Sequence, residues 1–351
     1  MTVLPDPGVR LDTVGMWDLT VGLPEQVAAA ASSVEGLGLP AADDIDHVVV
    51  FGMGGSGIGG DVLAAIAGPV ASVPVTVVKG YECPAYVGPR SLCIAVSFSG
   101  NTEEVVEAAS DAVAVGAQVV AASSGGTLAD LAAGWSTRWI RLPADIPMPR
   151  AGIGAVAIPL LLVLEDVGVM HGARDQVAAA VAQLRRRRDA LVKPGNVAEG
   201  LARRLRGTVP IVYGGGALGE VAASRWKNQV NENAKAPAFA GTYPELCHNE
   251  ICGWGQNGDM TRQVFSLVQL RHDFEHPQVA RRVGIVAELV DEVVATVEEV
   301  RAEGEGPLAQ LLDLVLVGDF VSLHLAYDVG IDPGPIPVLE DIKARLRQPA
   351  G

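Results

Sequence analysis

A buried-strand pattern that runs into glycines and then directly into a helical pattern occurs twice in this chain. The apolar run 47–51 ends in GMGGSGIGG and is followed by a helical pattern over 61–67. From Thr208 the same logic returns in PIVYGGGALGEVAA. Glycine lets the backbone leave a strand through conformations other residues resist, and a helix that starts there packs back across the sheet. Residues 73–78, 92–98 and 117–122 read as further strands, and a helix that carries Glu103 and Glu104 in its first turn follows 92–98. Such alternation predicts an α/β chain of two doubly wound parallel-sheet subdomains in tandem.

On this pattern residues 1–44 form a leading arm with one helix near 25–34, and 45–173 form the first subdomain. Residues 174–206 are a charged helical bridge whose run Arg185 to Arg188 reads as a solvated face, and 207–351 form the second subdomain. In that half, 261–271 reads as a strand, and 277–301 and 307–327 as long amphipathic helices. A short helix carrying Lys343 follows the Pro-rich turn 332–337.

The formal charge of −15 argues against nucleic-acid or anionic-membrane partners, which reward basic patches. The longest apolar run, 151–164, is broken by Pro159 and falls short of the roughly 20 residues of a bilayer span, so a soluble protein is expected. Four cysteines give no disulfide framework, and the N-terminus lacks a basic region followed by an apolar core, so a cytoplasmic setting is expected. Cys247 and Cys252 flank His248, but their spacing is not that of a zinc knuckle; buried free thiols are the simpler account and no metal is expected.

Gly52, Gly54 and Gly57 satisfy the dinucleotide pattern G-x-G-x-x-G, and Gly214, Gly216 and Gly219 satisfy it again. The discriminating features are Ser56 inside the first loop and SFSGNTEE after the third strand, which supplies Ser97, Ser99 and Thr102. Glycine backbone, helix N-terminal N–H groups and neutral hydroxyls on adjacent strands suit one compact phosphate monoester. The second strand closes on Lys79 rather than on an acid that would hold a ribose. The competing readings are dinucleotide binding and serines that merely cap helices.

The most reactive stretch is WKNQVNENAKAPAFAGTYPELCHNEICGW, residues 226–254, with Lys227, Glu232, Lys235, Glu245, His248 and Glu250 between two tryptophans. Polar side chains bracketed by large apolar ones predict a walled cavity for proton transfer. The plain competitors are a helix-surface Glu232, a core His248, an ion-paired Arg150 and a solvated Lys343. His272 and His276 in RHDFEH are one turn apart, but the adjacent Pro277 favours a loop and they receive no role.

GMGGSGIGGD and SFSGNTEE resemble the sugar isomerase (SIS) domain. NENAKAPAFAGTYPELCHNEICGW resembles the bifunctional phosphoglucose/phosphomannose isomerases, within the phosphoglucose isomerase superfamily. The resemblance runs from His47 to Lys343. It implies that Gly55, Ser56, Ser97, Ser99 and Thr102 hold the phosphate of a sugar 6-phosphate. It implies that Arg150 of MPRAG faces the reacting carbons, Glu232 is the base, His248 opens the ring, and Lys343 assists near the ring oxygen. It also implies a homodimer without cofactor, in which His248 serves either its own chain's site or its partner's. Two positions depart from the family pattern. Cys247 replaces the usual Asn before the histidine, and Gly334 replaces a threonine associated with accepting the mannose epimer.

The chemistry fits these residue types. Ring opening needs a group that exchanges a proton near neutrality, and moving the C2 proton to C1 needs one carboxylate on one face of a cis-enediol(ate). A guanidinium stabilises the anion without losing its own proton. Other classes remain open on the sequence: a non-catalytic sugar-phosphate sensor, a different SIS enzyme such as an arabinose-5-phosphate isomerase or an amidotransferase's isomerase half, and a nucleotide-dependent oxidoreductase.

Overall fold

A computed structural model describes residues 10–39 and 41–346; residues 1–9 of the expected arm lie outside them. Two short helices, α1 (Met16–Val21) and α2 (Leu23–Ala30), come first. Strands β1 (His47–Gly52), β2 (Val75–Val78), β3 (Ser91–Val96), β4 (Gln118–Ser123) and β5 (Arg138–Arg141) form the first sheet. Their order is β2-β1-β3-β4-β5 and every pair is parallel. The intervening helices are α3 (Gly54–Ala67), α4 (Glu103–Ala114) and α5 (Gly126–Gly134).

After α6 (Ile153–Val167), α7 (Ala173–Leu191) and α8 (Val197–Leu205), a second parallel sheet begins. It contains β6 (Val209–Gly215), β7 (Phe239–Tyr243), β8 (Phe265–Arg271) and β9 (Val297–Arg301) in the order β7-β6-β8-β9. Helices α9 (Gly216–Asn233), α10 (Gly258–Val264), α11 (Pro277–Val290), α12 (Pro307–Asp328) and α13 (Pro337–Leu346) complete this half. The apolar strands β1 and β3 are buried on both faces, as helix-covered parallel strands must be.

Several expectations change. The first glycine stretch is itself helical from Gly54, so the helix starts seven residues before Asp61 and most of the loop is its first turns. Residues 261–264 belong to α10, and the strand starts only at Phe265. The stretch 277–301 is α11 followed by β9, because Val297 to Arg301 find a ladder partner in Leu267 to Arg271 that outweighs local helical pattern. β5 and β7 carry no strong strand signal and owe their form to the neighbouring strands they pair with.

Another concerns α12. It is buried nearly all round and packs against α7, α8 and α9, so it is a central helix and not an amphipathic one. Its 22 residues are long and apolar enough to cross a bilayer, and 94% of its apolar window is buried inside the protein. It carries two buried carboxylates, each matched by an arginine. Asp313 accepts from Arg187 Nε and Nη2, both at 2.8 Å, so that arginine of the bridge is not solvated. Asp319 accepts from Arg225 at 3.1 and 2.8 Å.

Candidate active site

β1 and β3 are adjacent, so the loops that follow them meet at the carboxyl edge of the first sheet. Ser56 Oγ, buried, accepts from Phe98 N at 2.9 Å and ties the two loops together. Ser97 Oγ and Thr102 Oγ1 lie 2.8 Å apart, and Thr102 N donates to Ser97 Oγ at 3.2 Å. A hydroxyl that accepts still has its own proton to give, so Ser56 and one of Ser97 and Thr102 keep a free donor. Ser99 is exposed at the mouth. Neither α3 nor α4 has a side-chain cap, which leaves the first N–H groups of both helices open to an anion. Capping therefore does not account for these hydroxyls. A cleft of about 640 Å³ edged by Ser124, Gly126, Trp139 and Arg141 opens on the same side of the sheet.

Gly55 joins this cradle to the second half. A Cβ there would stand 3.0 Å from both Arg150 N and the Pro149 carbonyl carbon, so only glycine lets the two backbones touch. Arg150 sits in a 3₁₀ turn, Pro149–Gly152, between β5 and α6. Its side chain, 3% exposed, reaches the end of α9. Nε donates to Asn233 Oδ1 at 2.8 Å, Nη2 donates to the carbonyls of Pro333 and Gly334 at 2.6 and 2.7 Å, and Nη1 lies 3.6 Å from Glu232 Oε2. Glu232 keeps 30% of its side chain open to solvent. Burial pulls Arg150 below its ordinary pKa, and Glu232 and Asp319 oppose that pull. The result is a cation aimed by three acceptors, with a partly open carboxylate beside it and a hydroxyl-lined cradle under its backbone.

Residues 43–145 match the SIS domain and residues 195–346 match the bacterial phospho-glucose isomerase C-terminal SIS domain. A bifunctional phosphoglucose/phosphomannose isomerase of Caldicellulosiruptor bescii is 36% identical, over 95% of this chain and 99% of its own. The chain belongs to this isomerase family. The Aquifex aeolicus enzyme of the same description is 32% identical over 86% of this chain and 91% of its own. The isomerase also shares its fold with the C-terminal domain of glucosamine-fructose-6-phosphate aminotransferase from Francisella tularensis. That match has a TM-score of 0.69 at 14% identity and covers 90% of this chain and 97% of that one.

The isomerase does not bring Glu232 and His248 together within one chain. Glu232 ends α9, whereas His248 follows β7 at the strand's far end, closing the 3₁₀ turn Glu245–His248. β7 by itself spans roughly 16 Å, and the two residues lie beyond its opposite ends. Nor do the two tryptophans wall one cavity. Trp226 is buried against α12 and donates to Leu314 O at 2.7 Å, while Trp254 packs on Phe265 and donates to Tyr213 Oη at 3.3 Å. His248 is exposed on a loop pinned by the hydrogen bond from Tyr213 to Glu250. Lys343 is exposed on α13, of which no residue is buried.

The second glycine loop makes the same tight turn, since Gly214 and Gly219 touch, but it forms no cradle. Val279 and Glu275 crowd Gly215, and the buried His272 Nε2 donates to Gly215 O at 2.8 Å. An open concavity of about 740 Å³ edged by Gly255, Asp259, Met260 and Glu292 contains none of these groups. Among the described residues no group of three His, Cys, Asp or Glu side chains could hold a metal ion.

The sequence reading missed the residues that aim Arg150. Asn233 is fully buried, donates onward to Ser322 Oγ at 2.9 Å, and was visible only as the second Asn of NEN. Arg225 clamps the Arg150 carbonyl at 2.6 Å while bound to Asp319. Lys235, held at φ 54°, donates to Glu232 O at 2.6 Å and Pro333 O at 3.0 Å, and burial together with Arg150 lowers its pKa.

Proposed function

We propose that this isomerase interconverts glucose 6-phosphate, and mannose 6-phosphate, with fructose 6-phosphate through a cis-enediol(ate), without a metal ion. The observation that carries the reading is the double role of Arg150, whose backbone rests on Gly55 of the hydroxyl cradle while its guanidinium lies beside Glu232. A sugar anchored by its phosphate on Ser56, Ser97, Ser99, Thr102 and the Gly55 backbone would lay C1 and C2 toward that pair. Glu232 then takes the C2 proton and returns it to C1, and Arg150 stabilises the enediolate oxygen as charge develops. Binding energy at the phosphate orients the reacting carbons without touching them.

Ring opening falls to His248 of a second copy, since a single chain keeps His248 the length of β7 away from Glu232. Lys343, on a helix with no buried residue of its own, would join the site in the same dimer. The four free thiols fit a reducing cytoplasm, and the substrate pair fits central sugar-phosphate metabolism. A coupled assay that follows glucose 6-phosphate from fructose 6-phosphate, run with and without EDTA, tests this. Turnover insensitive to the chelator is expected, and no product in either direction would remove the assignment.

A further inference from the structure

The segment ahead of α1 reaches the turn that holds Arg150. Thr13 donates through N and Oγ1 to the Asp332 carboxylate, Oγ1 at 2.5 Å, and Asp332 Oδ1 accepts from Gly334 N at 3.0 Å. Asp12 anchors the segment from behind, accepting from the amides of Met16 and Trp17 at 2.8 Å and from Tyr327 Oη at 2.9 Å. Val14 stands between these two anchors.

Gly334 is buried, and its φ lies outside the left-handed region that reserves a position for glycine. What crowds a side chain there most is Val14, with Asp332 Oδ1 at 3.3 Å the next neighbour. A Cβ on residue 334 would sit 2.3 Å from Val14 Cγ2 and 3.3 Å from Val14 Cβ. Carbon atoms in contact need about 3.5–4.0 Å, so one valine methyl fills the place of the missing side chain. The carbonyls of Pro333 and Gly334 are the acceptors of Arg150 Nη2. A shift of this turn is therefore a shift of the guanidinium.

We propose that Val14 is a positioning residue of the active site, coupled to Gly334, which sets the Asp332–Gly334 turn and through it the direction of Arg150. The inference rests on the reading of Arg150 as the group facing the reacting carbons. It makes the N-terminal segment part of the catalytic apparatus, although that segment is far from the site in sequence.

The test is a double-mutant cycle of Val14→Ala, Gly334→Ala and their combination. Isomerisation kinetics, the melting temperature and the Kd for 6-phosphogluconate are measured for each. Gly334→Ala should lower kcat about tenfold or more, with KM and ligand affinity changed less than about twofold, because the phosphate cradle is untouched. Val14→Ala alone should cost about threefold, and the double variant should recover to within about threefold of wild type. Loss of stability alone would not split kcat from KM in this way. Wild-type kcat in Gly334→Ala, or a double variant equal to the product of the singles, overturns the proposal. If Gly334→Ala does not fold, Thr13→Val should lower kcat and Thr13→Ser restore it, and equal kcat in both variants overturns it. Arg150→Lys in the same assay separates the two levels. Wild-type turnover there removes the reading of Arg150, whereas its loss beside an uncoupled Val14 and Gly334 removes only this inference.

Discussion

Arg150 Nε donates to Asn233 Oδ1 at 2.8 Å where both side chains are closed to solvent. The amide nitrogen of Asn233 is spent on Ser322, so its oxygen can face only the guanidinium. Asn233→Ala frees the plane of Arg150 and leaves a buried N–H without its acceptor, at a cost of about 1–3 kcal/mol. The expected result is a kcat/KM lower by about 10–100-fold with most of the loss in kcat. Steady-state kinetics beside a thermal melt would show it, and a loss confined to KM would contradict it.

Glu232 is partly open to solvent and 3.6 Å from Arg150. Glu232→Gln keeps the shape of the side chain and removes the base. Turnover should fall by about 10⁴-fold or more while 6-phosphogluconate still binds within a few-fold of wild type. Calorimetry and the coupled assay on the same sample check both halves of that statement.

The paired hydroxyls Ser97 and Thr102 should act on binding first. Ser97→Ala combined with Thr102→Val removes both hydroxyls, and with them the pair's free donor, and should raise KM about 10–100-fold, with kcat changed less. Inorganic phosphate should weaken as an inhibitor in parallel. Unchanged phosphate inhibition would place the anion elsewhere.

Separation of Glu232 from His248 by β7 predicts complementation between subunits. Glu232→Gln and His248→Ala should each be inactive alone. Mixed, unfolded together and refolded in equal amounts, they should recover about a quarter of wild-type activity, because half the dimers then contain one intact site. No recovery would place both groups in the site of one chain.

His324 lies buried on α12 against the edge of Trp17, with Arg10 and Arg203 disfavouring its charge and Glu199 and Asp328 favouring it. Burial is the larger cause and lowers its pKa from the ordinary 6.5. The unfolded chain therefore binds this proton more readily, and the stability the neutral ring contributes is present above about pH 6.5 and lost as pH falls below it. His324→Phe should flatten the fall in melting temperature between about pH 7 and pH 5 relative to wild type. An equally steep fall in the variant would assign that loss to other groups.

Much of this protein is legible locally. A Val-rich run that ends in glycines marks a buried parallel strand, and SFSGNT beside a serine-bearing glycine loop marks a hydroxyl cradle. Both signals survive because strand burial and helix N-termini depend on neighbours a few residues away. Where the local pattern misled, a distant partner decided the outcome. β9 is a strand because β8 lies beside it, Arg187 is sequestered because Asp313 is buried opposite, and Trp226 serves the core because α12 passes over it.

The same distinction holds inside the site. By itself the sequence determined the residue types, since a hydroxyl cradle, a carboxylate, an imidazole and a guanidinium can be listed from the motifs that hold them. Only the tertiary structure decided which of them meet. Gly55 touches Arg150, Arg150 reaches Glu232 and Asn233, and Val14 closes on Gly334 across the full length of the chain, whereas His248, sixteen residues from Glu232, stays a strand's length away. Distance along a chain says little about distance in space once parallel strands and their crossover helices carry each segment from one edge of a sheet to the other.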